Sequence, residues 1–108
     1  MPFFDLQQQP SRELFPGVWI TTAWGERLML SFVHFVRADA VVPEHSHPHE
    51  QAGMGLEGEF ELVIGDEARV IRTGDSYLIP GGVPHSARSL SGPARALDIF
   101  SPPREEYK

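Results

Sequence analysis

Apolar and β-branched residues recur along the chain in short runs: VWITTAW (18–24), RLMLSFVHFV (27–36), EFELVI (59–64), ARVIR (68–72), SYLIP (76–80) and ARALDIF (94–100). None repeats its apolar positions at a helical period, and each has the length of a strand. Between them stand Gly25-Glu26, Glu57-Gly58, Gly65-Asp66, Gly74-Asp75 and Gly81-Gly82, residue types that take positive φ or open a turn at little cost. Short strands punctuated in this way predict an all-β antiparallel sandwich, jelly roll or barrel, in which closure protects the sheet edges. The pattern alone does not choose among these.

A chain of 108 residues has room for one domain. The runs divide residues 1–108 into an N-terminal arm over about 1–17, a barrel over about 18–101 and a tail over 102–108. Lys108 is the only lysine and the formal net charge is −6, so the chain lacks the basic field that a phosphate backbone or an anionic membrane requires. With no cysteine, a disulfide framework and a thiolate metal site are both excluded, and any metal must take imidazole and oxygen ligands. The N-terminus MPFFDLQQQPSREL has neither the basic start nor the apolar stretch of a signal peptide, and no eighteen consecutive residues are apolar. A soluble cytoplasmic protein is the expectation.

Four of the five histidines lie in two places: His45, His47 and His49 in PEHSHPHEQ, and His85 in PGGVPHSA. If 45–51 is one strand, residues 45, 47, 49 and 51 share a face and alternate imidazoles converge on a point where a cation could sit. Glu50, the rival oxygen ligand, points the other way. A polar solvated strand, or an adventitious metal binder, is the plainer reading of such a stretch. His85 favours the metal, because Gly74, Pro80, Gly82 and Pro84 frame it with turns that determine where its strand begins.

These residues resemble the two motifs of the cupins. In G-x5-H-x-H-x3,4-E-x6-G, the corresponding positions are Asp39, His45, His47, Gln51 and Gly58; in G-x5-P-x-G-x2-H-x3-N they are Gly74, Pro80, Gly82, His85 and Ser89. The resemblance implies a double-stranded β-helix, the jelly-roll barrel, with one divalent metal ion inside. Asp39 replaces a glycine, which is tolerable because Asp enters positive φ more easily than most residues. Ser89 replaces an asparagine. Gln51 replaces a glutamate, leaving the metal its full dipositive charge and so favouring an anionic substrate.

HSHPHEQ, LEGEFEL and the closing DIFSPPREEY look more narrowly like the small cupins of pectin and alginate degradation, the KdgF type, from about His34 to Tyr107. That resemblance implies metal-dependent conversion of 4,5-unsaturated monouronates to linear 5-keto-4-deoxyuronate, a ring-opening and tautomerising reaction on a small anionic sugar acid. It implies the ligands His45, His47, Gln51 and His85, with Asp98, Phe100 and Arg104 lining the active site. Nickel, zinc, manganese and iron all accept such a shell. The same shell also suits a dioxygenase using Fe(II) or Cu(II), and a cupin that only binds sugar is a third reading. Gly53 and Gly55 are smaller than the residues expected there, which bears on pocket volume.

Asp98 is the candidate general acid/base, since an aspartate within the apolar strand ALDIF must have a partner or a task. Its alternative is a carboxylate that bonds a turn or pairs with arginine. Arg104 could clamp a carboxylate or merely pair with Glu105 or Glu106 at the surface, and Phe100 could be pocket wall or core. His49 is expected to orient the shell or meet solvent, and His34 to be a satisfied histidine of the barrel. Trp19, Trp24, Met29, Phe32 and Phe35 read as barrel or interface packing, while Tyr77 and Arg72 could reach the pocket mouth. Phe3, Phe4 and Phe15 make the arm apolar enough to exchange between the subunits of a homodimer.

Overall fold

A computed structural model describes residues 3–108. Ten strands run through them: β1 (Ser11–Phe15), β2 (Val18–Trp24), β3 (Met29–Phe35), β4 (Val41–His45), β5 (Glu50–Glu57), β6 (Phe60–Ile64), β7 (Glu67–Ile71), β8 (Ser76–Ile79), β9 (His85–Ser89) and β10 (Ala94–Ser101). Single-turn 3-10 helices occupy Leu6–Gln8 and Glu105–Tyr107. No helix among the described residues is long and apolar enough to cross a membrane. The strands form two antiparallel sheets, β1-β2-β3-β10-β5-β8 and β4-β9-β6-β7, which close on each other as a jelly-roll barrel.

Each of the six apolar runs is a strand. The other four, β1, β4, β5 and β9, carry charged residues, histidines or glycines on one face and so make no apolar run. Ser11–Phe15, expected in the arm, is instead the edge strand of the larger sheet, paired with β2 from Ser11 opposite Thr21 to Phe15 opposite Val18. The Pro16-Gly17 turn makes this hairpin possible: Gly17 has φ +81°, which a type II turn requires at that position. Phe15 packs on the core of its own barrel, while Phe3 and Phe4 are exposed.

Alternation sorts residues to the two faces. Along β10, Ala94, Ala96, Asp98 and Phe100 are buried and face inward, while Arg95, Leu97, Ile99 and Ser101 between them are exposed or half-buried. The inner face of β10 therefore passes from an apolar end to a polar one. At the apolar end, Phe35 and Phe60 stack across the sheets with ring centroids 5.5 Å apart, surrounded by Val18, Leu62, Ile71, Ala94 and Ala96. Each large side chain buried there contributes roughly 1.5–3 kcal/mol.

Two of the three motif departures, Asp39 and Ser89, have visible consequences in the fold. Asp39 takes φ +57°, the conformation that glycine would adopt freely, and its carboxylate pairs with Arg88 at 2.9 Å. Fully buried Ser89 donates to Arg37 O at 2.6 Å and accepts from Ala40 N at 3.0 Å, tying β9 to the turn that contains Asp39.

Candidate metal centre and its cavity

His45 closes β4 and His85 opens β9, where they are direct cross-strand partners with ring centroids 4.3 Å apart. His47, in the turn between β4 and β5, lies 4.9 Å from the His85 ring and 5.6 Å from the His45 ring. One nitrogen of each of the three rings lies within 4.8 Å of the others. The Nδ1 atoms sit against backbone carbonyls: His45 on Pro43 O at 2.8 Å, His47 on His49 O at 3.0 Å and His85 on Val83 O at 2.9 Å. A carbonyl oxygen only accepts, so Nδ1 carries the proton in each ring and Nε2 presents a lone pair. Backbone carbonyls orient metal-binding imidazoles in this way.

The Nε2 of His85 is buried with no hydrogen-bond partner, and that of His47 faces Gln51 Oε1 at 3.1 Å. With Nδ1 protonated, both atoms of that second pair are acceptors, and two lone pairs so placed repel unless a cation lies between them. Burial pushes His85 down to about 4, against the opposing pull of its bond to Val83, and lowers His47 as well. Neutral imidazole is the ligating form. Three such rings with an amide oxygen fit a divalent metal ion, whose natural partners are N and O donors of this kind.

The two histidine segments are held together by close backbone approach. Gly82 N–H donates to His47 O at 2.8 Å, and a side chain on Gly81 would collide with the carbonyl of Pro48.

His45, Gln51, His85, Asp98, Phe100 and Arg104 line one cavity. Buried Asp98 accepts a hydrogen bond from the Tyr77 hydroxyl at 2.7 Å. Burial raises its pKa to about 6, opposed by the hydrogen bonds of Tyr77 and Gln51 and by the charge of Arg104. Gln51 thus has two tasks, its oxygen facing His47 and its side chain favouring the charged form of Asp98. A glutamate could not perform the second, because it would set one carboxylate against another.

Arg104 is 8% exposed. Its Nε donates to Glu106 at 3.0 Å, and its guanidinium lies 4.0 Å from the Tyr107 ring centroid and 5.2 Å from that of Phe100. Another guanidinium nitrogen, Nη1, is buried without a partner. The tail that carries Arg104 is tied down by Arg12, which donates to Glu106 O, and by Thr22 Oγ1, which donates to Tyr107 O at 2.9 Å. It forms one wall of the cavity.

The seven candidate residues therefore meet in one place, though not by the route expected for the first motif. Residues 45–51 are not one strand: β4 ends at His45, β5 begins at Glu50, and the chain turns through Ser46, His47, Pro48 and His49. Proline has no N–H to continue a ladder. The turn separates His49 from the three-nitrogen group, and its ring meets His47 edge-on at 5.5 Å. Glu50 is exposed. His34 is not inside the barrel; it lies on the outer face of the larger sheet, in register between Trp19 and Arg95. Arg72 does not reach the cavity, being 64% exposed in an ion pair with Glu59. Met29 and Phe35 are core, whereas Trp19 and Trp24 are 39% and 47% exposed.

Gly53 and Gly55 do not enlarge the pocket. A Cβ at Gly53 would run into the Tyr77 ring and the Asp98 carboxylate, and one at Gly55 would meet the Arg72 backbone and Ile71. The space is already filled. Sequence reasoning missed Ser31 and Tyr107, both of which line the cavity. Ser31 is fully buried, pairs in register with Asp98, and its Oγ has no partner. The signal that singled out Asp98, a polar residue at an inward position of an apolar strand, was present there too.

Residues 32–100 match the cupin domain family. The chain is 33% identical over 107 residues to the pectin degradation protein KdgF of Dickeya dadantii, covering 97% of this chain and 96% of that one. Among solved structures it resembles KdgF from Halomonas sp. with a TM-score of 0.90 at 30% identity, covering 98% of this chain and 97% of the other. An RmlC-like cupin from Shewanella frigidimarina superposes with a TM-score of 0.91 at 28% identity, covering 98% and 95%.

Proposed function

This chain belongs to the cupin domain family, and from that membership we propose that it is a pectin-degradation enzyme of the KdgF kind, acting as one domain on 4,5-unsaturated monouronates. The relation to KdgF over nearly the whole of both chains supports the substrate class. The observation that carries the reaction is a cavity in which His45, His85 and Gln51, members of the three-imidazole and amide cluster, meet buried Asp98 and Arg104, whose Nη1 is buried without a partner. A buried unpaired cationic donor is costly, so its place beside the cluster suits a substrate carboxylate.

The substrate is at once a cyclic hemiacetal and an enol ether. Linearisation needs the anomeric hydroxyl to lose a proton as the C1–ring oxygen bond breaks, giving an aldehyde at C1 and an enolate at C5. C4 then takes up a proton and C5 becomes a ketone. Atoms and charge balance with no oxidant and no water consumed. Asp98 receives the first proton and returns it to C4; a carboxylate poised near neutrality by burial suits both directions. His45, His47, Gln51 and His85 would hold a divalent ion, which supplies Lewis-acid stabilisation of the developing oxyanion. Phe100 walls the ring, packed between His47 and Arg104. The exposed Phe3 and Phe4 support a homodimer, for which light scattering at working concentration is the check.

Freshly made 4,5-unsaturated galacturonate or glucuronate should lose its ultraviolet absorbance faster with the protein than without it, with no oxygen uptake. Oxygen consumption with Fe(II) would favour a dioxygenase instead. Asp98→Asn should retain its metal and lose roughly 10²–10⁴-fold in rate; an undiminished rate refutes the acid/base role.

A further inference from the structure

Tyr77 and Asp98 are not neighbours in the sheet. Tyr77 is on β8 and Asp98 on β10, with β5 between them, and the β5 residue in register with both is Gly53. Two strand spacings separate their backbones, about 10 Å, yet the hydroxyl reaches the carboxylate at 2.7 Å. The contact passes over Gly53, where any Cβ would overlap the tyrosine ring and Asp98 Oδ1. The edge of the ring meets Phe60, with centroids 6.4 Å apart and planes at 89°, which sets its orientation.

An aspartate carboxyl turns about its last torsion with little preference. Bonded at Oδ1 by a rigid phenol, it presents its other oxygen in a fixed plane. Burial raises the phenol's pKa far above its ordinary value, so the hydroxyl stays protonated and can donate to the carboxylate.

We propose that Tyr77 is a positioning residue of this enzyme, reaching across Gly53 to fix the plane of the Asp98 carboxyl so that it delivers its proton to one face of C4. This inference rests on the role proposed above for Asp98. Phenylalanine keeps the ring and its packing and removes only the hydroxyl.

The test compares wild type, Asp98→Asn and Tyr77→Phe on unsaturated galacturonate, with metal content measured for each and the reaction repeated in D2O to read the configuration of deuterium at C4 by NMR. Tyr77→Phe should keep its fold and metal, hold KM within about threefold, lose at least tenfold in kcat, and give mixed configurations at C4 where wild type gives one. A smaller loss in kcat, a single configuration, a parallel rise in KM, or loss of fold or metal would each overturn the proposal, the last by assigning Tyr77 to packing. An inactive wild type or a fully active Asp98→Asn overturns the reading of the enzyme itself. An active wild type and inactive Asp98→Asn beside an unimpaired Tyr77→Phe overturn only the role of Tyr77.

Discussion

Stripping the protein of metal and loading it again tests the centre most directly, with His85→Ala as the paired perturbation. Binding that favours the folded chain adds RT ln(1 + [L]/Kd), about 2.7 kcal/mol when the ion is at one hundred times its Kd. For a domain of this size that corresponds to a rise in Tm of roughly 10–20 °C. In His85→Ala the rise should disappear. The cost of the substitution to the metal-free protein is a balance of opposed effects. Removing the ring loses the bond from Nδ1 to Val83 O at 2.9 Å, about 1 kcal/mol, and some packing, but it also removes an Nε2 that is buried and unpaired, a relief of about 1–3 kcal/mol. The metal-free variant should therefore lie within about 2 kcal/mol of metal-free wild type. Thermal unfolding with nickel, zinc, manganese and Fe(II), each against a chelated control, reads both quantities. If none of the four ions stabilises wild type, or if His85→Ala keeps the full rise, the three nitrogens are not a metal site. A loss well beyond 3 kcal/mol without metal would make His85 a packing residue.

The buried carboxyl of Asp98 makes the metal-free protein sensitive to pH. Its pKa rises from 3.8 unfolded to about 6 folded, so its stabilising contribution is full below about pH 4 and is lost as pH climbs through 6, a change of roughly 3 kcal/mol. Urea midpoints of chelated wild type minus those of Asp98→Asn should fall across that window; a flat difference contradicts the burial argument. Ser89→Ala strips the partner from the buried Ala40 N–H and from the part-buried Arg37 C=O, and should cost about 1–3 kcal/mol in the same measurement. A cost below 0.5 kcal/mol would mean that water or another group replaces the hydroxyl.

Much of this protein is written locally. Alternation along residues 18–24 and 94–100 is enough to mark strands and to say which residues face inward, because the period of two is a property of the pleated backbone itself. The same logic marked Asp98, an aspartate at an inward position, as a residue needing a partner. The places of His45, His47, Gln51 and His85 in motifs that resemble those of the cupins implied one cluster, and the turn glycines and prolines before His85 constrain where its strand begins. What only tertiary structure decided were relations between strands far apart in the chain. Whether Tyr77 can touch Asp98 depends on β5 lying between β8 and β10, and on the residue in register being Gly53. The absence of a side chain there, which from the sequence bore only on pocket volume, is the passage for a hydrogen bond. His49 left the cluster because the chain turns at Pro48, and Arg104 became buried because the tail folds back onto β1 and β2. Local pattern records the faces of a strand, whereas its neighbours are chosen by the closure of the whole barrel.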